Sequence, residues 1–250
     1  MPMLRALLVL AALASPARGQ EEPSFLAGAK DSANHLKLYI DFAAKAGDRP
    51  DFTKLPVSDL FARVFDLKQL VTLPPSQAND VKWLPQWIAT ANAVVKSFLY
   101  FGVNPAATLT ADQITIVKRN ASDYEDQEAI ALDYMIRISA REAQAVMRFL
   151  DQLSTEQRTP VRQEGLNRAR NGGTEMIYGA VVTIAQGLKP ANARLVSGAM
   201  SDTREVWSGF ILPQYRPQLM SMIERAESAT KDDTVRKDLA ASSIALAVAK

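Results

Sequence analysis

The sequence predicts an all-α protein: one bundle-like domain of about seven or eight helices, residues 20–250, behind a signal peptide at residues 1–19. Three observations carry that reading. Apolar side chains recur at steps of three and four along nearly the whole chain. Strand-like alternation of β-branched residues is almost absent. The residues between apolar runs are helix-start and helix-stop chemistry, and no linker or repeat divides them.

The leader comes first. Arg5 precedes an apolar run over residues 6–14, followed by Ser15, Pro16, Ala17, Arg18 and Gly19, which is the layout of a secretory signal peptide. The run is too short for a bilayer span, which needs ~20 apolar residues. Without cysteine there is no lipid anchor, so a periplasmic or secreted mature chain without an integral membrane segment is expected. Cleavage would remove two of the 29 basic side chains and none of the 27 acidic ones, leaving 27 of each. A formally neutral chain has no net positive charge to draw it to nucleic acid or anionic membranes, and neither is expected as a partner.

Helices follow in order. Ala29, Ala33, Leu36, Ile40 and Ala43 mark the first, ending at Gly47, with His35 on its flank. The second runs from about Pro56 through Leu60, Phe61, Val64, Phe65 and Leu70 and stops before Pro74-Pro75. Trp87, Ile88, Ala91, Val94, Val95, Phe98 and Leu99 form a third stripe, closed by Gly102 and the Asn104-Pro105 turn. Thr110 and Gln113 read as a capping box opening a fourth. Its stripe persists through Ile114, Val117, Ala121, Tyr124, Leu132, Met135, Ser139, Ala143, Val146, Leu150 and Leu153, as one long helix or two stacked with a joint near residues 120–123. Asn120-Ala121-Ser122 matches a glycosylation acceptor triplet, read here as coincidental.

Ser154 and Gln157 repeat the cap chemistry, and Thr159-Pro160 is a nested helix start. The segment to about Gly187 carries Gly165, Gly172, Gly173 and Gly179. Each interior glycine costs about 1 kcal/mol relative to alanine, which is reasonable where another helix approaches closely. A ligand gap or hinge at Gly172-Gly173 is the alternative. Pro190 opens a helix through Leu195, Ala199, Val206 and Trp207 that Pro213 stops. Pro217 starts another with Leu219, Met222, Ile223 and Ala226, and the last holds Leu239, Ser243, Leu246 and Ala247.

Chemistry is limited by what is missing. With no cysteine and one histidine, thiol nucleophiles, disulfides and multi-histidine metal sites are excluded. No Gly-x-Ser-x-Gly turn or phosphate loop occurs, so no cofactor and no catalytic residue is assigned. Carboxylates remain. At 100° per residue Glu128 and Glu142 share the stripe of Leu132, Met135 and Val146, with Glu125 at its edge. Di-metal bundles need Glu-x-x-His pairs, which are absent, so no metal is expected. The two glutamates are read as pairing with Arg119, Arg162 or Arg204 of packed neighbours. The alternative is a ligand site or acid–base enzyme using Glu128, Glu142, Tyr134 and Tyr178. Asp133, Arg137, Arg141 and Arg148 fall on the opposite face and read as solvated surface.

Leu109-Thr110-Ala111-Asp112-Gln113 fits L-T-x-x-Q, and Leu153-Ser154-Thr155-Glu156-Gln157 fits it with serine for threonine. An exported, cysteine-free helical chain with two such motifs resembles the LTxxQ-motif periplasmic proteins, stress adaptors and ATP-independent chaperones. The likeness covers some ten residues. It implies a concave helical surface that binds unfolded clients or a sensor partner. From the residues themselves, the expectation is non-catalytic binding of a protein partner or a small apolar ligand.

Overall fold

The structure, a computed structural model, describes residues 23–72, 77–103 and 108–249; the signal-peptide region, Pro74-Pro75 and Asn104-Pro105 lie outside the described residues. The chain is all-α. Its helices are α1 (Ser24–Ala46), α2 (Val57–Val64), α3 (Leu67–Thr72), α4 (Gln77–Leu99), α5 (Ala111–Asp123), α6 (Glu125–Asp151), α7 (Pro160–Ala185), α8 (Pro190–Asp202), α9 (Arg204–Phe210), α10 (Arg216–Ala229) and α11 (Asp233–Val248), with a 3-10 turn at Pro213–Tyr215 before α10. They outnumber the seven or eight expected, because three predicted helices are each interrupted.

The interruptions share one geometry. Phe65 (φ −106°, ψ 38°) separates α2 from α3, Tyr124 (φ −110°, ψ 28°) separates α5 from α6, and Thr203 (φ −106°, ψ 6°) separates α8 from α9. These lie near the bridge region, where a single residue leaves the helical ψ without reversing the chain. After Phe65, the Asp66 carboxylate accepts from Lys68 N at 2.9 Å and restarts the helix. The predicted long helix is therefore two, jointed at Tyr124, just beyond the anticipated stretch.

Other boundaries follow local chemistry. Gly47, at φ 75°, closes α1, and Asp48 N donates to Ala43 O at 2.9 Å. Thr110 and Gln113 close the reciprocal capping box on α5, at 3.3 and 3.0 Å. The second box does not open a helix. Ser154 N donates to Gln157 Oε1 at 3.1 Å, but Ser154 Oγ donates to Glu156, and the stretch forms turns. Thr159 caps α7 instead, with Pro160 at its start. α4 begins well before the Trp87 stripe and contains Pro85, whose missing N–H is outweighed by burial of Leu84, Trp87 and Ile88.

α6 is the centre of the fold. From Glu128 to Val146 it is buried on nearly every side, mostly against α4 and α8, with α7 and α9 completing its surroundings. α1 packs on α4 and α2 on α1, while α10 and α11 pair with each other and lean on α7 and α8. Aromatic rings fill the N-terminal half: Phe52 meets Phe61, Phe98 and Tyr124 edge-on, each at 5.5 Å between centroids.

The expected solvated face of α6 is a correction. Asp133 is buried and accepts from Arg137 Nε at 2.7 Å, and Arg137 Nη1 also meets Asp202 of α8 at 2.8 Å. Arg141 Nη1 donates to Leu70 O at 2.7 Å. Only Arg148 of that set is exposed. Packing on this side of α6 turns Asp133, Arg137 and Arg141 from surface charges into ties within the helix and to its neighbours.

Asn120 is one such tie. It is wholly buried, its Nδ2 donates to Leu99 O and Phe101 O at 3.0 and 2.9 Å, and its Oδ1 accepts from Arg49 at 3.1 Å. Arg49 also pairs with Asp123 at 2.7 Å and lies over the Tyr124 ring. An asparagine held this way cannot accept a glycan in the folded protein.

α7 is continuous through Gly172-Gly173. A Cβ on Gly173 would lie 2.7 Å from Trp207 Cζ3 and 3.4 Å from the Phe210 ring, so close packing by α9 accounts for this glycine. Trp207 has little room to retreat, since it is buried, edge-packed on Phe210 and bonded through Nε1 to Thr203 Oγ1 at 3.0 Å. Gly173→Ala should therefore lower stability in urea denaturation by about 1 kcal/mol, overpacking exceeding the helix-propensity gain. An increase would mean that the α9 aromatic pair repacks freely.

Candidate functional site

The four site residues anticipated from the sequence do not converge. Glu128 and Glu142 do share the inner face of α6, as the periodicity requires, and both are buried. Fourteen residues at 1.5 Å each place them about 21 Å apart, far beyond any paired-carboxylate mechanism.

Neither glutamate has its expected arginine. Arg162 Nη1 donates to Gln157 O at 2.6 Å, Arg204 Nη1 to Ser201 O at 2.7 Å, and Arg119 is exposed. Burial alone pushes the Glu142 carboxyl up to about 8. Burial, with the negative charge of Glu125 adding to it, pushes Glu128 up to about 7. These are carboxyls the core holds partly protonated near neutrality, isolated from each other and from any described basic partner.

Glu125 has separate work. Its Oε1 accepts from Lys189 N at 2.7 Å and Asn192 Nδ2 at 2.8 Å at the start of α8, and neighbouring Asp126 pairs with Lys189 Nζ at 2.8 Å. Two acidic groups thus sit at a helix N-terminus, where the backbone dipole favours them.

Tyr134 is fully buried, edge-on to Phe65 at 5.6 Å and Trp87 at 6.2 Å, and its hydroxyl has no hydrogen-bond partner among the described residues. Burial first, and the Asp66 charge second, push its phenol well above the usual range. It belongs to the aromatic core.

Tyr178 differs, because it faces a surface cleft of about 480 Å³ between α7 and the entry to α10. Asn171, Thr174 and Glu175 line the α7 wall with it, and Tyr215, Gln218 and Leu219 form the other. Sequence reading selected Tyr178 and missed the rest, although residues 171, 174, 175 and 178 lie at the helical spacing that places them on one face.

Two other clefts are lined by described residues. One, of about 450 Å³ between α3, α6 and the α8–α9 joint, includes Arg137, Arg141 and Arg148. Arg137 and Arg141 reach protein acceptors there, so they act as structural ties. The other, of about 510 Å³, is lined by His35, Tyr39, Lys54 and apolar residues beside α2. His35 is on the exposed flank of α1, 3.4 Å from Asp31. Neither Glu128 nor Glu142 lines any of the three. Among the described residues no cluster of three metal-ligating side chains occurs, and no helix is long and apolar enough to cross a membrane.

No family profile, curated protein or solved structure matches this chain. The likeness to LTxxQ proteins rests on its two motifs alone, of which only the one at Thr110 caps a helix.

The isolated carboxyls have a thermodynamic consequence. Because burial raises them above their ordinary 4.5, the fold prefers their protonated forms. Their contribution is most favourable below pH 4.5 and is lost as pH rises toward about 7 for Glu128 and about 8 for Glu142. Chemical denaturation across pH 5 to 8.5 should show this decline. Glu142→Gln should flatten it and raise stability at the alkaline end by on the order of 2 kcal/mol. An unchanged slope in Glu142→Gln would assign the decline to other groups.

Proposed function

We propose that this chain is an exported, non-catalytic binding protein of the cell envelope, with its ligand site in the α7–α10 cleft around Tyr178. The observation that supports the reading is the separation of Glu128 and Glu142 from the described clefts. The two carboxyls with raised pKa line none of the described clefts, whereas the Tyr178 cleft gathers aromatic and polar side chains without a paired acid and base. Orientation by a few polar groups against aromatic walls is how small-ligand sites work. Export rests on the leader-like residues 1–19.

A thermal-shift screen of small metabolites tests the cleft. A ligand bound there raises the wild-type Tm, and Tyr178→Ala removes most of that rise. Stabilisation that survives both Tyr178→Ala and Tyr215→Ala would place the site elsewhere.

A second reading, an ATP-independent chaperone or stress adaptor, is favoured by exposed apolar residues. Leu38 and Phe42 lie one helical turn apart on α1 at 65% and 72% exposure, and Leu55 beyond its end is 74% exposed. On this reading, near-stoichiometric protein suppresses aggregation of a denatured client, and Leu38→Ser/Phe42→Ser abolishes the effect. Failure of the wild type to protect any client removes it.

A further inference from the structure

The lining of the α7–α10 cleft is specific enough to name a ligand class, given the reading that a small ligand binds there. The side chains of Asn171, Glu175 and Gln218 form no hydrogen bond or ion pair with a described residue, and Glu175 is half-buried in that state. Thr174 Oγ1 donates to Arg170 O at 2.8 Å, which leaves its oxygen lone pairs as acceptors. Tyr178 and Tyr215, both half-buried, stand on the two walls of the cleft and have no ring contact with each other. The cleft therefore offers two carboxamides that donate and accept, one carboxylate and one hydroxyl that accept, and two aromatic surfaces.

Each ligand chemistry meets this set differently. A purely apolar molecule would cover the polar groups without replacing their water, at a cost for each. An anion would meet Glu175 with no lysine or arginine among the lining residues to offset it. An organic cation would suit Glu175 and the two rings, but would leave the amide donors of Asn171 and Gln218 unmatched. A polyhydroxylated ring satisfies all of them. Its hydroxyls donate and accept, neighbouring hydroxyl pairs match the planar carboxamide and carboxylate, and its C–H face packs on an aromatic ring. About 480 Å³ accommodates one or two such rings.

We infer that the α7–α10 cleft binds a neutral polyhydroxylated ligand, a mono- or disaccharide, held between Tyr178 and Tyr215 and oriented by Asn171, Glu175 and Gln218. Saturation-transfer NMR on the full chain tests this with glucose, N-acetylglucosamine and maltose as probes, and choline and 1-octanol as comparisons. At least one sugar should receive saturation and give a measurable Kd. Tyr178→Ala and Tyr215→Ala should weaken it at least tenfold. Glu175→Gln should weaken it no more than about threefold, because the amide oxygen still accepts. Asn171→Ala, at an exposed position that leaves the fold undisturbed, should weaken it several-fold. Circular dichroism confirms that each variant is folded.

Choline binding that is lost in Glu175→Gln, with the sugars silent, would overturn the saccharide assignment and retain the cleft as a cation site. Binding of octanol alone, lost in Tyr178→Ala, would likewise overturn it in favour of an apolar ligand. Silence from all five probes overturns both the ligand class and the cleft as a small-ligand site.

Discussion

A helix enclosed on nearly every side must offer packing surface in most directions, and α6 is built for that constraint. Alanine recurs at positions 129, 131, 140, 143 and 145, letting neighbouring backbones approach, while Leu132, Met135, Ile136, Ile138 and Val146 fill the space between them. Neighbouring helices take their places from contact with it, directly or through one intermediary. The cost falls on its polar residues, most of which are buried or half-buried between Glu128 and Val146, Gln144 being the exposed one.

Those residues meet the cost in three ways. Asp133 and Arg137 pair, and Arg137 extends the link to Asp202, so a surface-type charge pattern becomes a clamp between α6 and α8. Glu125 and Asp126, at the start of the helix, are met by the first residues of α8. Glu128 and Glu142 have no cationic partner among the described residues and respond through protonation, which is cheaper than burying an unpaired charge. Enclosure by itself accounts for the raised pKa of these two carboxyls, which lie some 21 Å apart along the helix.

The places where the sequence misleads share a physical origin. Apolar periodicity is insensitive to one residue in the bridge region, because the stripe resumes almost in phase on the far side. Phe65, Tyr124 and Thr203 each split a helix that way. The cap chemistry at Ser154 forms only in part, since the serine hydroxyl turns to Glu156 while Thr159 and Pro160 offer a better start a few residues on. Periodicity also identifies which residues of α6 are opposite one another, but not that both faces are covered. For the site, Tyr178 was legible as a tyrosine on a helix, whereas its companions Tyr215 and Gln218 lie some forty residues away and reach it only through the packing of α10 on α7.

By itself the amino-acid sequence determined the all-helical class, the capping box at Thr110, the stop at Gly47 and the shared face of Glu128 and Glu142, because each depends on residues within a few turns of one another. Tertiary structure alone decided that α6 would be enclosed, that Gly173 would receive Trp207, that the arginines expected near the buried glutamates would bind elsewhere, and that a cleft would open beside Tyr178. Those outcomes depend on which helix lies against which, and that is set by the sum of many distant contacts that no local spacing encodes.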